Sequence, residues 1–438
     1  MNIVVFGLGY SGMATSLRLC ELGHTVYGYD TDEEKIKRLF QGKTGMREPG
    51  FDKLLNRYLG TQFNPVLNDP TTWFSTLLPD DHPEFDMSFI CVGTQSTGSK
   101  LDDSAIKNAL GFIRNMLNNN GPVVVRSTMD LCAWQSLMTL SNRMRDSIFV
   151  LPEFFQEGKA LEEARNPTRL VLGMNSSVIP TALLDVLGQL RNGAPLLTMS
   201  PQSAILAKLA ANTFLAQRVA LINEIAAVAE TESANIDDIA LAVGLDPRIG
   251  PDYMKAGPGY GGGCLPKDVM ALSTAGVDLA NDVEKSNINH IYYVASRIRD
   301  MLYGKKSRIT IWGASFKEGT SDFRGSPASE VMDYLTDSLA IEQIKIYQPD
   351  LDRAEVIKQY FEDSVICSNL YESLEGADLL IVLTREPEFR DFDFNQAVLA
   401  MRTHQIYDAV RFLPARQLLD MKFEYHALGI DQNQLKNL

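Results

Sequence analysis

The first thirty residues carry a dinucleotide-binding fingerprint, which constrains the fold of this chain more strongly than any other stretch. An apolar run at residues 2–6 leads into the hexapeptide GLGYSG at 7–12, a helical pattern, and a second apolar run that ends at Asp30. This order of strand, glycine turn, helix, strand and acid is that of a Rossmann βαβ unit. We therefore predict parallel strands joined by a helix whose N-terminus faces a pyrophosphate.

The residues of this fingerprint also predict which cofactor is bound. The carboxylate of Asp30 is placed to accept hydrogen bonds from ribose hydroxyls and to repel a 2′-phosphate, so NAD is favoured over NADP. We expect the turn and the start of the helix to contact the cofactor through Gly7, Gly9, Tyr10, Ser11 and Gly12.

A second informative stretch is the glycine-rich loop at residues 256–268, which leads into Cys264. Glycine lets a backbone come close to a ligand. Lys267 follows closely enough to favour the thiolate, which is the nucleophilic form of cysteine. We interpret this loop as holding an exposed, reactive thiol. The alternative is a flexible loop beside a buried cysteine that serves only in packing.

The length and the later patterns of the chain predict more than one domain. At 438 residues the chain exceeds the usual size of a single domain. A long helical pattern covers residues 203–232, and strand-like runs alternate with helices again from residue 307. The predicted fold class is α/β, with two Rossmann-like doubly wound parallel-sheet domains joined by a long central helix. The predicted domains are 1–200, 201–300 and 301–438.

Charge and cysteine usage limit the partners and the compartment. The formal net charge of −14 argues against nucleic acid or an anionic membrane as the main partner. Five scattered cysteines without a CxxC pair suggest reduced thiols in a cytosol and predict no metal site. The sequence shows no signal-peptide pattern, and we expect no apolar run of membrane-spanning length. We therefore expect a cytoplasmic protein.

Residues 259–268 resemble the active-site loop of the UDP-glucose/GDP-mannose dehydrogenase family, whose pattern is Gly-aromatic-Gly-Gly-Ser-Cys-Phe/Leu-Pro-Lys-Asp. The resemblance extends over nearly the whole chain, with further matches at PEFFQEG (152–158), KLAANTFLA (208–216) and GASFKEGTSDFR (313–324). The sequence departs from the family pattern at Gln95, Leu151, the turn 129–133, Gly263 and Gly325.

The resemblance implies a two-step oxidation of an alcohol to an acid, with two NAD consumed per nucleotide sugar. A thiolate adds to an aldehyde, the thiohemiacetal loses hydride to NAD, and the thioester must then be hydrolysed. A carboxylate is the natural base for that water, and Glu153 is our candidate. By resemblance, Lys208 stabilises the developing oxyanion. The implied catalytic set is Cys264, Glu153, Lys208, Asn212, Asp268 and Thr128.

The resemblance also implies the remaining contacts. Further cofactor-binding residues are Lys35, Thr94, Thr128, Glu157, Lys267 and Arg324. The implied substrate-binding residues are Phe154, Lys208, Asn212, Tyr253, Gly257, Gly261, Phe316 and Lys317. The expected partner is a UDP-sugar, and a helical dimerisation region at about 200–295 implies a homodimer.

Three alternatives to oxidation of UDP-glucose to UDP-glucuronate stay open. The lead-in at 248–258 and the run at 215–218 look most like the UDP-glucose branch, but GDP-mannose or a UDP-N-acetyl sugar is also compatible. A single-step hydroxy-acid dehydrogenase shares the long helix and a Lys/Asn pair one turn apart. The departures from the family pattern also allow an inactive nucleotide-sugar-binding protein.

Overall fold

The structure is a computed structural model that describes residues 1–67, 84–97, 100–116, 121–140, 145–302, 306–320, 322–338, 341–349 and 354–435. The chain divides into two compact units. The first comprises Met1–Ala211 and Thr274–Gly276, and the second comprises Asn212–Ser273 and Val277–Leu438. The bounds of the three domains predicted from the sequence stay a prediction.

An eight-stranded sheet forms the centre of the first unit, in the order β10-β9-β8-β7-β4-β1-β2-β3. All neighbouring pairs are parallel except β8 and β9, which pair antiparallel. The strands are β1 (Asn2–Phe6), β2 (Thr25–Tyr29), β3 (Phe63–Val66), β4 (Met87–Ile90), β7 (Val123–Val125), β8 (Ile148–Val150), β9 (Leu170–Gly173) and β10 (Leu196–Met199), with a separate hairpin of β5 (Ser96–Thr97) and β6 (Lys100–Leu101).

Helices pack on this sheet because its central strands are apolar on both faces, as expected for a buried parallel sheet. Fully buried side chains such as Ile3, Phe89 and Leu187 belong to one continuous core. The helices of this part of the chain are α1 (Tyr10–Glu21), α2 (Glu33–Phe40), α3 (Phe51–Tyr58), α4 (Ser104–Met116), α5 (Leu131–Leu140), α6 (Ala160–Arg165) and α7 (Thr181–Leu190).

The second unit contains a fully parallel six-stranded sheet in the order β13-β12-β11-β14-β15-β16. Alternate residues of β14 enter cores on opposite faces, with Leu379 and Ile381 on one and Leu380 and Val382 on the other. The strands are β11 (Ser307–Trp312), β12 (Ile341–Tyr347), β13 (Val365–Ile366), β14 (Leu379–Val382), β15 (Gln405–Asp408) and β16 (Glu424–Ala427).

A long helix, α8 (Pro201–Thr231), connects the two units along the chain. The remaining described helices are α9 (Ile236–Gly244), α10 (Leu265–Thr274), α11 (Asp278–Leu302), α12 (Pro327–Ser338), α13 (Ala354–Tyr360), α14 (Leu370–Leu374), α15 (Pro387–Arg390), α16 (Phe394–Ala400), α17 (Ala415–Asp420) and α18 (Gln432–Leu435). The predicted fold class is confirmed, with two α/β domains built on parallel sheets and a long central helix.

The length and composition of α8 correct one sequence-based expectation. Within the described chain, this helix is long and apolar enough to cross a membrane, although no such segment was expected. Its most apolar window is 44% buried inside the protein. The core helix of a globular protein meets the same criterion, so length and composition alone do not make α8 a membrane span.

Both sheets use the same turn after their first strand. In the first unit the Gly7 N–H donates to the Tyr29 carbonyl at 2.8 Å, and in the second the Gly313 N–H donates to the Tyr347 carbonyl at 3.0 Å. The residue after the second strand is the fully buried Gln348, an amide where the first unit has an acid. The corresponding edges of the two sheets therefore share a backbone turn but differ in charge at the residue after the second strand.

Candidate active site

The glycine turn after β1 has the geometry that a dinucleotide site requires. Gly7 has a φ of +89°, and a side chain there would lie 2.7 Å from the Cys91 carbonyl oxygen. Space around Gly9 is open, and α1 begins without a side-chain cap. The Ser11 hydroxyl is buried and has no hydrogen-bond partner among the described residues. Open backbone, an uncapped helix N-terminus and an unsatisfied hydroxyl fit a bound pyrophosphate.

Asp30 is held firmly at the carboxyl end of β2. One carboxylate oxygen accepts the Leu8 N–H at 2.8 Å and pairs with the Lys35 ammonium, also at 2.8 Å. The other oxygen accepts the Asp32 N–H at 3.0 Å. These donors fix the carboxylate where the ribose hydroxyls of a dinucleotide are expected. Lys35 was predicted to contact the cofactor, and in the structure its ammonium forms an ion pair with the Asp30 carboxylate.

Asp30→Asn is expected to erase most of the cofactor selectivity. Wild-type kcat/KM for NAD should exceed that for NADP roughly tenfold or more, since a 2′-phosphate beside a carboxylate costs at least ~1.4 kcal/mol. The amide can still accept the Leu8 N–H but no longer repels the phosphate. Asp32→Asn is the matched control, because Asp32 only caps α2 through the Lys35 N–H. Equal wild-type kcat/KM for both cofactors would contradict this prediction.

The turn after β7 differs in sequence from the family pattern, and side-chain hydrogen bonds to the backbone stabilise it. The Asp130 carboxylate caps α5 by accepting the Ala133 N–H at 2.7 Å, and it also accepts the Leu101 N–H at 3.3 Å. The Ser127 hydroxyl donates to the Val92 carbonyl at 2.8 Å, which ties the ends of β7 and β4 together. Thr128 and Thr94, both predicted to bind the cofactor, follow these two strand ends.

Glu153 lies in the loop after β8, at the edge where open parallel sheets bind their ligands. Its Oε2 accepts the Phe155 N–H at 2.6 Å, and its Oε1 lies 3.9 Å from the Lys208 ammonium. The Phe154 ring has the Arg169 guanidinium at 4.0 Å and the Lys208 ammonium at 5.4 Å from its centroid. The first unit thus brings together three predicted site residues, Glu153, Phe154 and Lys208.

The end of this loop is fixed by a residue that the sequence analysis missed. Glu48 is 7% exposed, and its carboxylate accepts the Gly158 N–H at 2.6 Å and the Ala160 N–H at 2.8 Å. These contacts hold the backbone next to Glu157, a predicted cofactor contact, where the loop enters α6. Glu48 lies more than a hundred residues earlier in the chain, and no local pattern links it to the loop.

Cys264 is exposed in the second unit and stands immediately before α10. Anions are stabilised at helix N-termini, so this position suits a thiolate. The Asp268 N–H donates to the Cys264 carbonyl at 3.1 Å. The fully buried Asp268 carboxylate accepts from the Asn212 amide and pairs with the Lys267 ammonium, each at 2.6 Å. The second unit therefore groups four predicted residues around the start of one helix.

The cysteine loop packs against the turn that follows β11. Gly262 has a φ of +82°, and a side chain there would lie 2.8 Å from the Phe316 ring. Its N–H donates to the Arg324 carbonyl at 3.0 Å. Gly263 and Gly325, where the family pattern has serine and glutamate, both lie at this contact. A side chain at Gly263 would approach the Arg324 guanidinium, and one at the predicted substrate residue Gly261 would collide with the Gly325 carbonyl.

Two charged side chains that were predicted to bind ligands, Arg324 and Lys317, lie in the segment after β11. The Arg324 guanidinium pairs with the Asp322 carboxylate at 2.6 Å, while half of the Arg324 side chain stays exposed. Lys317 lies in the same segment, with its ammonium 5.6 Å from the centroid of the Phe316 ring. Ser321, inside the segment 313–324 that resembles the family, lies outside the described residues.

The predicted substrate segment around Gly257 is held by buried side chains. The Gly257 N–H donates to the Asn223 side-chain oxygen, and its carbonyl accepts from His290 Nε2, both at 2.9 Å. Burial lowers the pKa of His290 to about 4, so the ring is neutral near pH 7 and donates through Nε2. The sequence analysis assigned no role to any histidine. Tyr253, four residues earlier, has a φ of +60°, a backbone conformation uncommon for a non-glycine residue.

Three family models match the chain in sequence. They are the NAD binding domain of the UDP-glucose/GDP-mannose dehydrogenase family at residues 1–187, its central domain at 202–289, and its UDP binding domain at 310–415. A UDP-glucose 6-dehydrogenase of Rhizobium meliloti is 30% identical over 446 residues, covering 98% of this chain and 99% of the relative.

Two solved structures share the fold. A UDP-glucose dehydrogenase from Pyrobaculum islandicum superposes with a TM-score of 0.82 at 25% identity, covering 98% of this chain and 96% of the other. A UDP-D-ManNAc dehydrogenase from Pyrococcus horikoshii gives the same TM-score at 23% identity, covering 98% and 99%. With its NAD-binding and UDP-binding domains, this chain belongs to the UDP-glucose/GDP-mannose dehydrogenase family.

Proposed function

We propose that this protein oxidises the C6 alcohol of UDP-glucose to the carboxylic acid in two NAD-dependent steps, through a covalent intermediate on Cys264. The observation that carries the proposal is an exposed thiol at the start of α10, beside the buried Asp268 and its partners Asn212 and Lys267. A thiol of structural use alone is normally buried. Bound NAD supplies the hydride acceptor in both steps.

In the proposed first stage the alcohol gives up a proton and a hydride to become an aldehyde. The Cys264 thiolate then attacks the aldehyde carbon, and the carbonyl oxygen takes up negative charge as the C–S bond forms. Lys208 is the cation that we assign to that oxygen, because its ammonium is almost fully buried and therefore acts with little screening by water. Loss of a second hydride converts the thiohemiacetal into a thioester.

In the proposed last stage the thioester is hydrolysed. Glu153 takes a proton from water, the hydroxyl attacks the acyl carbon, and Cys264 leaves as thiolate. The Phe155 N–H and the Lys208 ammonium, at 2.6 Å and 3.9 Å from its two oxygens, orient the Glu153 carboxylate that accepts the proton. Asn212 and Asp268 are assigned to positioning of water and substrate.

A panel of nucleotide sugars tests the substrate assignment. We expect kcat/KM for UDP-glucose to exceed that for GDP-mannose and UDP-N-acetylmannosamine by about tenfold or more, since even one misfitting methylene in a pocket costs about that much. Two NADH should form per sugar, measured by absorbance. Turnover of another nucleotide sugar but not of UDP-glucose would overturn the choice of sugar, and one NADH per substrate would point to a single-step dehydrogenase.

The proposed homodimer is supported by the surface of α8. Phe214, Leu221 and Val228 recur at heptad spacing, and they are 68%, 55% and 58% exposed. Apolar residues repeating every seven positions on a helix are typical of helix–helix contacts. We assign this stripe to a second copy of the chain.

A further inference from the structure

The cysteine loop is rich in glycine, and its backbone is held by side chains from elsewhere in the second unit. Glycines at position 259 and at positions 261–263 lead into Cys264. Glycine has more backbone freedom to lose than any other residue, so this sequence alone does not fix where the thiol lies. The contacts that do fix it come from outside the loop.

Asn287, on α11, binds the middle of this loop through both polar atoms of its amide. Its Oδ1 accepts the Tyr260 N–H at 2.8 Å, and its Nδ2 donates to the Tyr260 carbonyl at 3.0 Å. The Asn287 side chain is buried, so water does not compete for these two bonds. One amide therefore fixes the backbone on both sides of a residue that lies four positions before Cys264.

His290 lies one turn further along the same helix and holds the start of the loop. Its buried ring donates from Nε2 to the Gly257 carbonyl at 2.9 Å. Between these two anchors Gly259 has a φ of +139°, and a side chain there would lie 2.8 Å from Ile291 and 3.1 Å from the Asn287 oxygen. The glycine at 259 is therefore what lets the loop lie so close to α11.

The anchors continue along the chain up to the thiol. The Gly262 N–H donates to the Arg324 carbonyl at 3.0 Å, and the Cys264 carbonyl accepts the Asp268 N–H at 3.1 Å as α10 begins. Backbone groups at 257, 260, 262 and 264 are thus all hydrogen-bonded within the second unit. The position of the thiol is set by this series of contacts, two of which come from α11.

We propose that Asn287 and His290 are positioning residues for the covalent step, which hold the cysteine loop so that the Cys264 thiolate captures the aldehyde before it can leave. This inference rests on the proposed covalent role of Cys264. Both side chains act through the loop backbone and not on the substrate. A reacting group displaced by about 1 Å can lose roughly 10²-fold in rate. The first oxidation proceeds without the sulfur, so loosening the loop should separate the two oxidations.

Asn287→Ala removes both bonds to Tyr260 and is tested with a nucleotide sugar that the wild type oxidises. We expect acid formation to slow about tenfold or more, within the effect of a displacement of about 1 Å. The first hydride transfer, measured by NADH absorbance in a single turnover, should be nearly unchanged. Aldehyde should then escape, where semicarbazide traps it. Asn289→Ala is the matched control, because Asn289 is exposed on the same helix, and it should release no aldehyde.

His290→Leu and His290→Gln separate the hydrogen bond from the packing at the second anchor. Leucine fills space but cannot donate to the Gly257 carbonyl, whereas the glutamine amide can. We expect trapped aldehyde from His290→Leu and recovery of most acid formation in His290→Gln. If Asn287→Ala does not fold, as judged by thermal unfolding, the two His290 variants decide the question. Failure of His290→Leu to fold as well would assign both contacts to stability and overturn the inference.

Wild-type acid formation without trapped aldehyde in the folded variants would also overturn it, as would equal slowing of both oxidations. Cys264→Ala is the reference that separates this inference from the proposed mechanism. Trapped aldehyde from Cys264→Ala but from neither Asn287→Ala nor His290→Leu would refute the positioning role alone. Acid formation by Cys264→Ala would instead refute the covalent mechanism on which the inference rests.

Discussion

Cys264→Ala is expected to abolish formation of the acid, with a loss of about 10³-fold or more in the rate of uronate production. Alanine leaves no atom that can form the C–S bond, so the aldehyde cannot become a thioester. The first oxidation does not require the sulfur and can continue. Chromatography of the products should therefore show at most one NADH per sugar and no acid, with aldehyde or its hydrate as the only oxidised species.

Cys132→Ala is the control for this variant, because Cys132 is the other exposed cysteine of the chain and lies in the first turn of α5. Like Cys264, it is near a helix N-terminus, but it does not stand in the glycine-rich loop. Wild-type acid production is expected from Cys132→Ala. Acid formation by the Cys264→Ala enzyme at more than a few per cent of the wild-type rate would refute the covalent mechanism.

Much of the fold could be predicted because its central strands are short, continuous apolar runs. The apolar run predicted at residues 2–6 is β1, and the run predicted to end at Asp30 is β2, since strands inside a parallel sheet lack polar interruptions. Strands at the sheet edges carry no such signal. β3 contains Pro65, which removes a backbone donor, and β10 has two exposed residues among four.

The residues proposed for the candidate site could be selected from the sequence because they lie in local motifs around glycine turns. The residues that hold those motifs in place could not, because they belong to no local motif. Glu48 and His290 act through contacts with residues far away along the chain, and nothing in their own neighbourhoods marks them. Asp130 was within reach of sequence reasoning, since an acid just before a helix is a standard N-cap.

The structure explains two of the places where the sequence departs from the family pattern. The turn 129–133 lacks the expected proline and glycine, but Asp130 closes it by capping α5. Gly263 and Gly325 lie at the same contact, between the cysteine loop and Arg324. These substitutions therefore alter loop backbone and packing while the predicted reactive residues Cys264 and Glu153 are retained.

Neutralising Glu153 should separate the oxidations from the hydrolysis. Glu153→Gln is nearly isosteric, and the amide oxygen can still accept the Phe155 N–H, so the loop should keep its conformation. Without a base for water, hydrolysis is expected to slow by ~10²–10⁴-fold, the usual effect of losing a positioned general base. Both hydride transfers precede that step and should continue. The enzyme should then release about two NADH per active site in a burst and nearly stop.

Intact mass measured after rapid quenching should show the acyl group of the nucleotide sugar attached to the Glu153→Gln enzyme, and peptide mapping should locate it on Cys264. Glu162→Gln is the matched control, because it removes the same charge from an exposed position on α6 close to the loop. That control should turn over at the wild-type rate and accumulate no adduct. A Glu153→Gln enzyme with the wild-type steady-state rate would exclude Glu153 as the base. A burst of one NADH would instead place the block before the second hydride transfer, and the carboxylate would then act in thiohemiacetal formation or oxidation.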